Sequence, residues 1–187
     1  MSESWYELVA PAAPLTQGDI LRGTSVLVWK DTSDSASLRD WAEGWTTDTV
    51  VLTQACDLER RKVTNVVLGR LIPLTTYRSE LWQPRLRQRN QNPSEKAWRR
   101  TLEDIAAGYV WNQMLLDRFD HADYGFEVQV VEFQDIFTVP RVYLDARIAE
   151  GTAPRPRLRP PYREHLSQAF ARFFMRVGLP QSVTLPA

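Results

Sequence analysis

Hydrophobic residues in this chain fall in short runs separated by polar punctuation, not in one long series. Three runs in the first half are short and rich in β-branched residues: 20–29, which ends Val26-Leu27-Val28-Trp29; 49–54, TVVLTQ; and 65–74, NVVLGRLIPL. Runs of this length bounded by turn residues predict buried strands. Between the first two, the polar stretch 31–45 predicts a loop with one helical turn near 38–43. The segment 56–64, CDLERRKVT, is short enough for a hairpin or a single helical turn. Residues 1–14 predict an irregular arm, because Pro11 and Pro14 bar a helix.

The second half changes period. Residues 78–93 are polar and arginine-rich with Pro84 and Pro93, and predict an exposed loop. Ser94 then predicts a helix N-cap, with Ala97, Trp98, Leu102, Ile105, Ala106, Tyr109 and Val110 along one side. That helix is expected to run on toward Met114 and Leu115, with Gly108 as its weak point. FEVQVVEF alternates and predicts a strand; IFTVPRVYLDARI predicts another. RPRLRPP predicts an extended connector. A final helix is expected over 162–177, with Leu166, Ala169, Phe170, Phe173, Phe174 and Val177 inward, Gly178 ending it and Pro180 preventing its resumption. Strands grouped apart from helices imply an α+β fold with antiparallel pairing. The whole of 1–187 is expected to form a single domain, with a barrel-like β-rich half (1–77) and a second half (78–187) packed on it.

Composition narrows the function classes. With 43% hydrophobic and 11% aromatic residues the chain is globular, not disordered. No apolar run approaches the ~18 residues a membrane helix needs, and the N-terminus lacks the basic start and apolar stretch of a secretory signal. One cysteine in 187 residues excludes a disulfide framework and suits a reducing compartment, so a cytoplasmic protein is expected. Net charge is zero but segregated: residues 78–100 and 151–187 are basic, and 101–150 is acidic. Such blocks pair with one another across a folded surface, or serve an anionic partner. A glycine-rich phosphate loop is missing, and no cofactor is implied.

The single cysteine raises its own question. Gln54-Ala55-Cys56 after an apolar run resembles the nucleophile segment of caspase-type proteases. That family follows the cysteine with Arg and Gly and places its histidine about 50 residues upstream. Here Asp57 and Leu58 follow, and both histidines, His121 and His165, lie downstream. An acidic neighbour also disfavours a thiolate. The three letters coincide by accident. A cysteine hydrolase of another order would pair Cys56 with His165. For zinc, Cys56, Asp57, His121 and His165 lack ligand spacing, so no metal site is expected.

The layout of residues 15–77 resembles the PemK/MazF family of endoribonuclease toxins. Gly18-Asp19-Ile20 stands where that family opens its first strand, Val50-Val51-Leu52-Thr53-Gln54 where an apolar strand ends in a polar pair, and Pro73-Leu74-Thr75-Thr76 where the next strand closes. The resemblance implies an SH3-like antiparallel β-barrel core, here with an inserted central helix and a C-terminal helix. In the family an arginine before the second of these strands works in RNA cleavage. The matching place here reads Thr47-Asp48-Thr49, so the resemblance implies the fold without that catalytic residue.

The expected function is therefore binding without catalysis, in a bacterial toxin-type or defence setting, with single-stranded RNA or an acidic protein as partner and a homodimer as one arrangement. The expected contact residues are Arg85, Arg87, Arg89, Arg99 and Arg100, with Trp82 and Trp98 nearby although Trp98 falls on the inward, core side of its helix, and Arg163 and Arg172 on the last helix. The alternatives are a metal-independent endoribonuclease on the same barrel and a hydrolase using Cys56. Their candidate catalytic residues are Cys56, Asp57, Arg61 and Thr75.

Overall fold

The computed structural model describes residues 4–31, 34 and 36–175. Strand β1 (Tyr6–Val9) pairs antiparallel with β7 (Arg155–Leu158) in a two-stranded ribbon. The remaining strands, β2 (Ile20–Trp29), β3 (Ala42–Val51), β4 (Asn65–Pro73), β5 (Gln113–Leu116) and β6 (Gln129–Pro140), form one antiparallel sheet in the order β2-β3-β4-β6-β5. The architecture is α+β, as the grouping of strands implies. The sheet does not close into the expected barrel: β2 and β5 are its two edges and do not pair. Near its start β2 meets the ribbon instead, through a bridge from Asp19 to Arg157.

Alternation along β3 divides the core. Val50 and Leu52 enter one cluster with Leu71, Val131, Phe133 and Leu166, whereas Val51 joins Leu21, Leu58, Leu68 and Leu144 on the opposite face. The first face is covered by α7 (Tyr162–Phe174), which supplies Leu166. The second is covered by α2 (Ala55–Glu59) through Leu58 and by α6 (Arg141–Glu150) through Leu144. Farther along β4, Ile72 lies on the same face as Leu68 and opens a third cluster with Val130, Tyr77, Trp82 and Trp98. Strand β6 bulges where Gly69↔Ile136 gives way to Arg70↔Glu132, leaving 133–135 unpaired with β4, so Val131 and Phe133 face the first cluster while Phe137 and Val139 fall in the second.

Several local expectations need correction. Residues 78–93 are largely helical: α3 (Leu74–Thr76) runs through a π-helical turn, Tyr77–Trp82, into α4 (Gln83–Gln88). The wide turn ahead of Pro84 accommodates a ring that an α-helix interior would not, and Leu81, Trp82 and Leu86 pack inward. The Ser94-capped helix is present as α5 (Glu95–Ala106), with Ser94 Oγ accepting from Ala97 N at 3.2 Å. It ends before Gly108, whose φ of 73° breaks the helical path, and Met114 and Leu115 belong to β5. The two strands expected over 126–133 and 136–148 are one strand, β6, which ends at Pro140, and residues 141–148 are helical, not extended. Pro140 ends the ladder, and Leu144 and Ile148 pack one turn apart beside the Arg141–Asp145 pair at 3.3 Å. The N-terminal arm and the proline-rich connector are β1 and β7: each supplies the other's strand partner. The short helical turn α1 (Leu38–Trp41) lies within the 38–43 expectation, but 42–45, expected as loop, open β3 and pair with Val26–Trp29 of β2. Val177, Gly178 and Pro180, expected to end the last helix, lie outside the described residues. Among the described residues no helix is long and apolar enough to cross a membrane.

Candidate nucleic-acid interface

The candidate catalytic residues do not assemble. Strands β3 and β4 run antiparallel with Val51 opposite Leu68, so Cys56 follows one end of the sheet and Thr75 the other. Leu68 to Pro73 alone spans roughly 16 Å. Thr75 Oγ donates to Glu127 at 2.7 Å, and exposed Cys56 has Gln54 and Asp57 within 3.8 Å. Arg61 is exposed in the left-handed turn after α2, with φ 51°. Cys56 and His165 are divided by the sheet, since α2 packs on one face and α7 on the other. His121 lies with Phe119 on the α7 side, its Nδ1 accepting from Asp123 N at 3.2 Å. The thiol therefore has neither imidazole as a base. No group of three metal-ligating side chains gathers among the described residues.

The arginines sort differently. The π turn and α4 pack against α5 over the third cluster, where Trp82 and Trp98 meet edge-on at 4.9 Å between ring centroids. Trp82 Nε1 donates to Thr101 Oγ1 at 3.0 Å, and Thr101 in turn donates to Ala97 O, so the helices are pinned by polar bonds as well. With Trp98, Leu102 and Ile105 inward, Lys96, Arg99 and Arg100 occupy the outward arc of α5. Arg87 and Arg89 project from α4 and its end. All five are exposed, and none enters an ion pair among the described residues.

Arg85 is set apart. Its Nη2 donates to Glu132 Oε1 at 3.0 Å, and Glu132 is only 4% exposed at the middle of β6. Beside it, Tyr77 and Gln113 exchange hydrogen bonds at 2.9–3.0 Å. Burial raises the Tyr77 pKa, with the Glu132 charge adding to it. Arg70 donates to Asp135 at 3.0 Å and lies 4.4 Å over the Trp45 ring. Arg85–Glu132 joins the basic block 78–100 to the acidic block 101–150, so part of the charge segregation seen along the chain cancels in space.

The last helix separates its two candidates. Arg163 and Arg172 are nine residues apart, roughly opposite in azimuth and about 13 Å apart along the axis. Arg163 pairs with its neighbour Glu164 at 2.6 Å. Arg172 donates to Gly108 O just past α5 and lies 5.5 Å over the Trp111 ring. With Trp5, His165, Met114 and Ala169 they line a cavity of about 370 Å³. Trp5 stacks on Tyr162 at 4.2 Å and 11°. Sequence reasoning missed this cleft, because Tyr109 and Val110 fitted the helix pattern and carried it past Gly108.

No family model matches this chain, and no curated protein matches it either. The geometry places Arg87, Arg89, Lys96, Arg99 and Arg100 on the outward side of α4 and α5, with Glu103 and Asp104 one turn beyond Arg99 and Arg100, and an aromatic cleft past the end of α5. Trp82 and Trp98 are buried, so the exposed ring beside an arginine at this surface is Trp111 under Arg172.

Proposed function

We propose that the protein binds single-stranded RNA without cutting it, through the outward faces of α4 and α5. The observation that carries this reading is the set of Arg87, Arg89, Arg99 and Arg100, exposed and in no ion pair among the described residues, on helices that Trp82 and Trp98 hold together. Arg172 and Trp111 extend the surface beyond the end of α5. Such binding belongs in the cytoplasm, in keeping with a lone exposed cysteine, and the layout of residues 15–77 supports a toxin-type or defence setting.

Binding of this kind is driven by counterion release, with log K falling by roughly 0.7 per phosphate contact per log unit of salt on single strands. Removing Arg87 and Arg89 together should lower that slope by roughly 1.4. Retention of labelled single-stranded RNA by the full chain, measured across salt, is the test. No retention at low salt would assign the arginines to an acidic protein surface, which a second copy of the chain also supplies.

A second reading, a metal-independent endoribonuclease, has one specific observation in its favour. Arg70 lies directly across the β3–β4 ladder from Thr49, in the segment that stands where the toxin family carries its arginine. The guanidinium is then on the neighbouring strand, next to Glu132 in the β4–β6 register.

A further inference from the structure

A second cavity, of about 330 Å³, lies far in sequence from the arginine helices, where the start of β2, α6, the 121–125 loop and the α6–β7 connection converge. Its apolar wall includes Leu21 and Leu144, both buried, with Ile148 and Pro154. Arg22 and Arg147 also line it. Arg22 Nη2 donates to Tyr124 O at 2.7 Å and Gly125 O at 2.9 Å, and Arg147 donates to the carbonyl of Arg22. These bonds tie three walls of the cavity together. All of the acceptors are neutral carbonyls.

Neither guanidinium has a carboxylate partner among the described residues, and Arg147 Nη1 is buried without an acceptor. The third arginine at the wall, Arg155, is already neutralised by Asp19. Asp123, at the exposed rim, is the one carboxylate lining the cavity among the described residues. Arg22 is exposed and Arg147 half-buried, so the unmet demand lies in one atom: a buried donor such as Arg147 Nη1 is costly to leave unpaired, and an anion entering the hollow would satisfy it. A hollow of this size accepts a small organic molecule, with a few placed polar groups setting its orientation.

We infer that this cavity is a binding site for a small organic monoanion, with an apolar body against Leu21, Leu144 and Ile148 and its charge at Arg22 and Arg147. The site is independent of RNA binding.

Two fluorescent probes test it: 8-anilinonaphthalene-1-sulfonate and N-phenyl-1-naphthylamine, which share an aromatic body and differ in the sulfonate. The full-length protein should bind the sulfonate saturably at one site, roughly tenfold tighter than the neutral amine, the scale of one charge-assisted contact. Arg147→Met should abolish that preference, and Ala153→Trp, which places an indole at the cavity wall, should abolish binding of both. Arg22→Gln, at an exposed position, repeats the charge test if Arg147→Met fails to fold. Equal affinity for the two probes in the wild type overturns the anion assignment. Binding that survives Ala153→Trp, or no binding at all, overturns the site.

Discussion

Arg155 donates its Nε to Asp19 Oδ2 at 3.0 Å, and the carboxylate it meets has no exposure to solvent. Arg157 reaches the same carboxylate, with Nη2 at 3.1 Å from Oδ2. Arg155 also donates to the carbonyls of Pro11 and Pro14, at 2.9 and 3.2 Å, so one ion cluster fastens the β1–β2 connection to β7. Removing the carboxylate would strand two guanidinium groups in a dry setting. Asp19→Ala is expected to cost about 3–5 kcal/mol. Arg157→Met should cost less, because Arg155 still neutralises Asp19. Urea unfolding of both variants checks the order.

Gly69 and Leu52 meet across the bend in the sheet. A Cβ at Gly69 would stand 3.1 Å from Leu52 Cδ1 and equally close to Val131 Cγ1. Gly69→Ala should therefore overpack the first core face, at about 1–3 kcal/mol. Leu52→Ala should leave a cavity, at about 2–5 kcal/mol. Because the new methyl enters the space the leucine vacates, the double variant should cost less than the sum. Strict additivity in equilibrium unfolding would refute the contact.

How far the chain declares this fold depends on how local each decision is. The runs at 20–29 and 65–74 show their strands because β-branched residues on a half-buried sheet carry the signal locally, whereas the run at 49–54 marks only the last three residues of β3, whose polar first part, 42–48, carries no such signal. Closure is not local. Nothing in β2 or β5 states whether the two edges meet, and the ribbon partner of β2 lies more than 130 residues away. Val142-Tyr143-Leu144 has strand composition, yet Leu144 and Ile148 at one-turn spacing pack the segment as a helix. The same limit governs the site. Composition exposes the arginines of 85–100, whereas the diversion of Arg85 to Glu132 depends on a residue 47 positions on. The convergence of Arg22 and Arg147, 125 apart, has no sequence signature.

Tyr6 provides a pH test. Its hydroxyl donates to Asp117 O at 2.9 Å, and burial, reinforced by the Asp117 charge, raises its pKa far above the ordinary 10.0. The folded state holds the phenol protonated while the unfolded chain releases the proton above about pH 10. This contribution is complete below the unfolded pKa and is lost as pH rises toward the folded one. Each such phenol steepens the alkaline loss of stability by roughly 1.4 kcal/mol per pH unit. Tyr6→Phe should be less stable at neutral pH through the lost hydrogen bond, yet flatter between pH 10 and 11. Parallel curves in urea titrations at several pH values would count against the assignment.

Whether RNA leaves this protein intact turns on Arg70. In the endoribonuclease reading Arg70 would stabilise the charge developing on the phosphate, and losing one such preorganised donor costs about 10²–10³ in rate. The geometry opposes that use: the guanidinium lies over Trp45 and is bonded to Asp135. Thr75, the hydroxyl at the strand end, is turned to Glu127. End-labelled single-stranded RNA should therefore survive incubation with the wild-type chain, in EDTA and in magnesium alike. Arg70→Met should leave RNA retention at low salt unchanged, since the Arg70 guanidinium is committed to Asp135 and Trp45 and is not one of the exposed arginines of α4 and α5. Discrete cleavage by the wild type that falls a hundredfold in Arg70→Met, with retention preserved, would replace the binding reading with the nuclease. Cleavage that persists in Arg70→Met but disappears in Arg61→Ala or Thr75→Ala would move the chemistry to an end of the sheet and refute both assignments.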